Sequence, residues 1–253
     1  MKHRLLRITV PGMLALSLLS GCATSGQMEE RHPDDPWEGF NRKVFVFNDT
    51  LDRYALKPVA QGYRFITPAP VETGVGNFFS NLGEIRTALN SVLQGKPGNA
   101  GIATSRFLIN STVGIGGLWD VATRMEITGR DEDFGQTLGT WGLESGPYLV
   151  LPLLGPSTVR DTAGLPVDMY TYPITYVEDE SVRLALTALR IIDARAGLLD
   201  QEALISGDRY SFIRDTWLQQ RRFEVNDGEQ GADPFAGEEF DFDDSDFDDA
   251  FDE

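Results

Sequence analysis

From residue 35 to residue 223, apolar side chains recur mostly at three- and four-residue steps. That is the spacing of one helix face, and the strict alternation of a half-buried strand is scarce. The chain therefore reads as mainly α, in a single domain without an internal repeat. Asp35-Pro36-Trp37-Glu38 predicts the first helix start, with Asp35 as cap, Pro36 in the first turn and Glu38 reaching back as in a capping box. Phe40, Val44, Phe47, Leu51 and Tyr54 then share a face, and Pro58 is expected to end the helix. Phe45 and Val46 fall off that face. A helix apolar nearly all round is buried in protein or in lipid, so Phe45 and Val46 are read as lipid-facing.

The same pattern predicts a helix from Ser80, as cap, to Leu93, with Ile85, Ala88, Leu89 and Val92 as its stripe and Gly95 with Pro97 closing it. Further helices are predicted from Asn99 to Ser111, near Trp119–Ile127, near Asp133–Trp141, from Ser181 to Leu199, and from Gly207 to Phe223. Val182, Ala185, Leu186, Leu189 and Leu199 form the stripe of the fifth of these helices. Tyr210, Ile213 and Trp217 point inward from the last.

Residues 146–156, Gly-Pro-Tyr-Leu-Val-Leu-Pro-Leu-Leu-Gly-Pro, fit neither period. The run is apolar but cut by three prolines, which long regular elements do not survive. Two readings fit equally: an interfacial or pore-lining loop, tolerated at membrane depth where protein or a wet cavity surrounds it, or a buried crossing in a water-soluble core.

The ends change the picture. Lys2, Arg4 and Arg7 precede an apolar stretch from Ile8 to Leu19, which Pro11 and Gly12 interrupt. It is too short for a spanning helix and reads as a secretory signal over residues 1–21. Leu19-Ser20-Gly21-Cys22 matches the bacterial lipobox, and Cys22 is the only cysteine in the chain. Cys22 is expected to carry acyl chains as the mature N-terminus, followed by a polar tether to residue 34. More than one chain makes such anchoring stable, at about 0.8 kcal/mol per buried CH₂. Ala23 is not the aspartate of an inner-membrane retention signal, which directs the expectation to the outer membrane, periplasmic side.

The formal charge is −17, and residues 224–253 hold 14 acidic and no basic residues. Such a tail, with Phe235, Phe240, Phe242, Phe247 and Phe251 interleaved, reads as disordered. Its acidity leaves residues 35–223 as the helical domain and makes nucleic-acid binding a poor expectation.

Much enzymology is excluded. His3 and His32 both precede the helical body, so it holds no imidazole for Ser-His-Asp or Cys-His chemistry or for a zinc site. There is no Walker loop, and Gly114-Ile115-Gly116-Gly117 lacks the last glycine of a dinucleotide fingerprint. Gly142-Leu143-Glu144-Ser145-Gly146 misses the nucleophile-elbow spacing. Asp131-Glu132-Asp133 and Glu178-Asp179-Glu180 lack EF-hand spacing and read as solvated loops. The sequence is expected to need no cofactor, no metal and no catalytic residues.

Several blocks together resemble one family. Asp35-Pro36-Trp37-Glu38-Gly39-Phe40-Asn41-Arg42 with Phe47-Asn48 is similar to the opening of the MlaA (VacJ) lipoproteins. The likeness continues in Gly76-Asn77-Phe78 with Asn81-Leu82, in Leu93-Gln94-Gly95-Lys96-Pro97, and in Arg106-Phe107 with Asn110-Ser111-Thr112. Its most specific block is Glu132-Asp133-Phe134-Gly135-Gln136-Thr137-Leu138-Gly139, followed by Gly146-Pro147-Tyr148 and by Leu151-Pro152-Leu153 with Gly155-Pro156-Ser157 and Arg160-Asp161. Arg130 stands where many members carry histidine, so no imidazole role transfers.

The resemblance implies a ring-like helical protein in the outer membrane beside a trimeric porin. It implies a lipoprotein that removes phospholipid misplaced in the outer leaflet and passes it to a soluble, MlaC-like periplasmic carrier. On that reading the irregular apolar segments 113–118 and 146–156 line the lipid path, with Val113, Ile115, Leu118, Tyr148, Leu149, Leu151 and Leu153 as its walls. Two other classes stay open: an envelope-scaffolding lipoprotein without a lipid path, and a lipid hydrolase using a carboxylate pair. The anchor itself is testable from sequence. Cys22→Ala is expected to abolish acyl labelling and membrane retention, and labelling that persists in the variant refutes the lipobox.

Overall fold

The computed structural model describes residues 32–228. The signal segment, Cys22 and the acidic tail beyond residue 228 lie outside the described residues. Among those residues the architecture is mainly helical, as the periodicity predicts. Its helices are α1 (Glu38–Leu51), α2 (Lys57–Ile66), α3 (Ala69–Leu93), α4 (Pro97–Thr112), α5 (Val121–Arg124), α6 (Phe134–Thr140), α7 (Val159–Thr171), α8 (Glu180–Gly197) and α9 (Arg209–Val225). A two-stranded antiparallel hairpin, β1 (Tyr148–Leu151) and β2 (Gly155–Thr158), is set between α6 and α7. None of the helices is long and apolar enough to cross a membrane.

Pro58 does not end the first helix. A π-helical turn, Asp52–Leu56, joins α1 to α2, and the Lys57 N–H reaches back five residues to the Asp52 carbonyl. The widened turn gives the Pro58 ring room, because it no longer presses on the carbonyl four residues earlier. Nor does Ser80 cap a helix: α3 begins eleven residues earlier, after extended Pro68. Pro166 lies inside α7, which the sequence reading missed. The proline-cut run at 146–156 is regular after all, but only as strands of four residues, with Pro152 in the turn and Pro156 in β2.

The larger correction concerns polarity. The helical period was legible, but its sign was not. In α1 the residues turned inward are Asn41, Val44, Phe45 and Asn48, whereas Phe40, Phe47 and Leu51, with Tyr54 in the turn after it, are exposed. In α3 the buried stripe is Asn81, Glu84, Thr87, Asn90 and Ser91, while Leu89 and Val92 face out. Across the described residues 19 buried side chains are polar or charged and 11 are apolar, four of the latter being alanines beyond Ala60. Phe65 is 91% exposed and Val46 61%. Large apolar side chains left this exposed make a surface suited to lipid or to another protein.

Asparagines hold the hairpin in place. Asn41 donates to the Tyr148 carbonyl (3.0 Å) and accepts from the Val150 N–H (2.9 Å). Asn48, two turns on, donates to the Leu151 carbonyl (2.9 Å) and accepts from the Leu153 N–H (2.9 Å). Each side-chain amide reproduces the donor and acceptor of a neighbouring strand, so the free edge of β1 is paired by a helix. Asp35 does not cap α1. Its buried carboxylate accepts from Asn41 (2.8 Å), from the Tyr210 hydroxyl and from Arg214 (3.4 Å).

Tyr148 and Val150 thereby point into a small apolar core with Tyr210 and Leu218, flanked by Val44, Phe45 and Trp217. Removing Asn41 leaves one Asp35 oxygen, the Tyr148 carbonyl and the Val150 N–H unpaired in that core. Asn41→Ala is expected to cost about 3 kcal/mol and Asn48→Ala, at the more exposed end, about 1 kcal/mol. Denaturant midpoints in detergent measure both, and equal losses overturn the ranking.

Candidate functional site

The most specific sequence block, residues 132–139, is a polar knot. Asp133 caps α6 by accepting from the Gln136 N–H (2.9 Å). It also receives both Arg221 nitrogens (2.6 and 2.7 Å), while Arg221 bonds Asp161 twice more, each at 3.0 Å. One guanidinium thus ties α9 to the start of α6 and to α7. Burial disfavours ionisation of Asp133, but the Arg221 hydrogen bonds and charge outweigh it and hold the carboxyl below its ordinary value. Gly135 is required here, since a Cβ would stand 2.4 Å from an Asp161 oxygen and 2.5 Å from an Arg221 nitrogen.

A second set is fully interior. Gln94 donates to Glu132 (2.9 Å) and to Thr137 (3.1 Å), Thr137 donates to Asn90 (2.8 Å), and Lys96 pairs with Glu132 (3.2 Å). The Asp131-Glu132-Asp133 cluster is therefore largely spent on packing: Glu132 and Asp133 both face arginine, lysine or amide donors.

A third set stiffens the glycine-rich loop after α4. Asn110 accepts from the Ala122 N–H (2.9 Å) and donates to Asp120 (3.0 Å). Arg106 pairs with Glu84 and Asp120 and donates to the Ile127 carbonyl (2.6 Å). Burial works against ionisation of Asp120, but bonds from the Thr123 hydroxyl and N–H, from Asn110 and the Arg106 charge prevail and set its pKa at about 2.

Three cavities gather around the hairpin. The first, about 560 Å³, is walled by α3, α7, the turn Pro173–Tyr176 and α8, and holds Arg86, Arg183 and Arg190 among Leu165, Met169 and Leu184. The second, about 540 Å³, lies between α1, the hairpin tip and α9, with Phe45, Leu56, Ile205 and Phe212 in its wall. The third, about 270 Å³, is polar and lies beside Asp133, Asp161 and Arg221. Leu154, at the hairpin tip, borders the first two, and Pro156 the last two. Leu153 beside it is left-handed (φ +65°), held there by the Asn48 bond to its N–H. Such strain persists only where surrounding structure over-determines it.

The sequence-predicted residues divide accordingly. Leu153 lines the second cavity. Tyr148 does not line any: it is 0% exposed and packs edge-on against Tyr210 and Trp217, because strand alternation turns it inward. Leu149 and Leu151, on the opposite face of β1, are half-buried and outside the three cavity walls. Val113, Ile115 and Leu118 are also outside those walls. They are exposed on the loop between α4 and α5, with Trp119 and Met125 nearby in sequence. Phe45 is not on the outer surface: it is half-buried, stacks edge-on against Tyr210 at 5.5 Å, and lines the second cavity. Val46 remains outward. The sequence reading missed the arginines of the first cavity and Leu154. Arg183 and Arg190, seven residues apart on a predicted helix, were the available signal.

This arrangement offers apolar volumes with charged walls, opening beside an apolar exterior, which is the chemistry of an amphiphile site. Comparisons with known proteins agree. Residues 33–224 match the family described as MlaA lipoprotein. The chain is 37% identical over 223 residues to the intermembrane phospholipid transport system lipoprotein MlaA of Escherichia coli, covering 85% of this chain and 88% of that one. It is 34% identical over 225 residues to the protein of the same name from Haemophilus influenzae, covering 85% and 89%. A chain solved in work on the structural basis for maintenance of bacterial outer membrane lipid asymmetry superposes with a TM-score of 0.66 at 37% identity, over 76% of this chain and 99% of that one. The chain belongs to the MlaA lipoprotein family.

Proposed function

We propose that this protein is an outer-membrane lipoprotein that takes mislocalised glycerophospholipid from the outer leaflet and delivers it to a soluble periplasmic carrier. The observation that supports this most is the inverted polarity. Apolar side chains on α1, α2 and the 113–119 loop face outward, and hydrogen-bonded polar side chains fill the interior. In hydrocarbon, buried polar groups must find their partners within the protein, and the three networks supply many of them.

A phospholipid needs a route with a polar side for its head and an apolar side for its chains. The cavities that meet at Leu154 provide both: arginines on α3 and α8, and aliphatic walls along α7, α8 and the hairpin tip. Acyl chains on Cys22 hold the domain at the inner leaflet, and a trimeric porin beside it supplies the second surface that the apolar exterior needs. Movement through the domain is downhill: lipid leaves a leaflet where it is in excess and is captured by the carrier, so the domain itself needs no nucleotide.

Two measurements test the reading. Deleting the gene is expected to raise phospholipid accessible to an impermeant headgroup reagent on intact cells. The wild-type chain should reverse the rise, and Leu154→Asp, which sets a charge where two cavities meet, should not. An unchanged surface content in the deletion strain defeats the proposal. Embedding is tested separately with single-tryptophan variants in vesicles of brominated lipid. Trp119, 59% exposed, should be strongly quenched, and half-buried Trp217 only weakly. Equal quenching contradicts the proposed orientation.

A further inference from the structure

Eighteen lysines and arginines lie among the described residues, and thirteen of them have a carboxylate within 4.0 Å. The five without one are Lys43, Arg86, Arg124, Arg183 and Arg190. Three of these five border one cavity, the first described above. In a domain that spends thirteen of eighteen cations on ion pairs, three guanidinium groups without one around a single volume is an arrangement that folding alone does not require.

Each is positioned. Arg190 stacks on the Tyr172 ring at 4.7 Å. Arg183, two turns earlier on α8, donates one nitrogen to the Val177 carbonyl (3.1 Å), which leaves its other donors free. Arg86 on α3 has a buried Nε without a hydrogen-bond partner. Two carboxylates share the wall. Asp168 already accepts from the Phe134 N–H (2.9 Å) and Asn90 (3.5 Å), and Glu180 is exposed at the start of α8. Between the arginines run Leu154, Leu165, Met169 and Leu184.

We infer that this cavity is a phosphodiester site, in which Arg86, Arg183 and Arg190 bind the phosphate of a glycerophospholipid and the aliphatic wall takes the start of its acyl chains toward Leu154. Planar guanidinium groups match phosphate oxygens in paired hydrogen bonds, and Tyr172 holds one of them flat. The volume, about 560 Å³, suits a headgroup with its glycerol and first methylenes. The inference rests on the transport reading and names where within the domain the lipid pauses.

The full-length lipoprotein in detergent is mixed with vesicles of phosphatidylglycerol carrying a labelled headgroup, and lipid retained after gel filtration is counted. Arg183→Gln with Arg190→Gln should retain about tenfold less than wild type, Arg183→Lys with Arg190→Lys an intermediate amount, and Arg124→Gln the wild-type amount. Far-UV circular dichroism checks folding. Should the glutamine pair misfold, Arg183→Gln alone, expected to lose several-fold, decides the matter. Equal retention by folded glutamine variants overturns the site while leaving transport standing, and a wild-type chain that retains no lipid overturns both. Excess inorganic phosphate should leave the lipid bound, since it gains nothing from the aliphatic wall. Displacement at equimolar phosphate makes this a free-anion site and overturns the lipid assignment.

Discussion

The fold depends on two asparagines doing the work of a missing strand. A two-stranded hairpin is marginal by itself and leaves an edge of unpaired backbone groups. Asn41 and Asn48 sit seven residues apart on α1, close to two turns of helix, which carries them to the same face. Their spacing along the helix matches alternate backbone positions of β1, from Tyr148 to Leu153. Pairing that edge fixes three things at once. It buries Tyr148 and Val150 in the core, it seats Asp35 against Tyr210 and Arg214, and it projects Leu153 and Leu154 toward the cavities.

The same logic extends through the domain. Helices ordinarily join by burying apolar stripes in water. Here the stripes that meet are polar, and their hydrogen bonds supply the specificity: Arg221 between Asp133 and Asp161, Thr137 between Gln94 and Asn90, Arg106 between Glu84 and Asp120. Removing one partner from such a network is costly, because the remainder stays buried and unsatisfied. In return, many large apolar side chains are left for the outside. Glycines at tight crossings, Gly135 and Gly164, let the polar groups come within bonding distance: a Cβ on Gly164 would stand 2.8 Å from the Gly135 nitrogen.

Much of the secondary structure was legible because it is local. α6, α8 and α9 fall within a few residues of the spans that capping and period predict, each opening on an aspartate whose side chain accepts from an N–H three residues on. Pro58 was expected to end the first helix, whereas the π-helical turn before it and its place in the first turn of α2 accommodate it. The hairpin was hidden because its edge is satisfied by side chains 105 to 109 residues away in sequence.

By itself the sequence determined that the domain is mainly helical and gave the approximate places of α1, α4, α6, α8 and α9. It also carried the blocks that mark the family. Only the tertiary structure decided which face of each helix is inside. A period reports that two faces differ, not which solvent each one meets. The period put Phe40, Phe47 and Leu51 on one shared face and Leu89 in a stripe, and the structure turns all four outward. The grouping of the cavity arginines was equally out of reach: Arg86 and Arg190 lie on different helices, and only folding brings their charges to one wall.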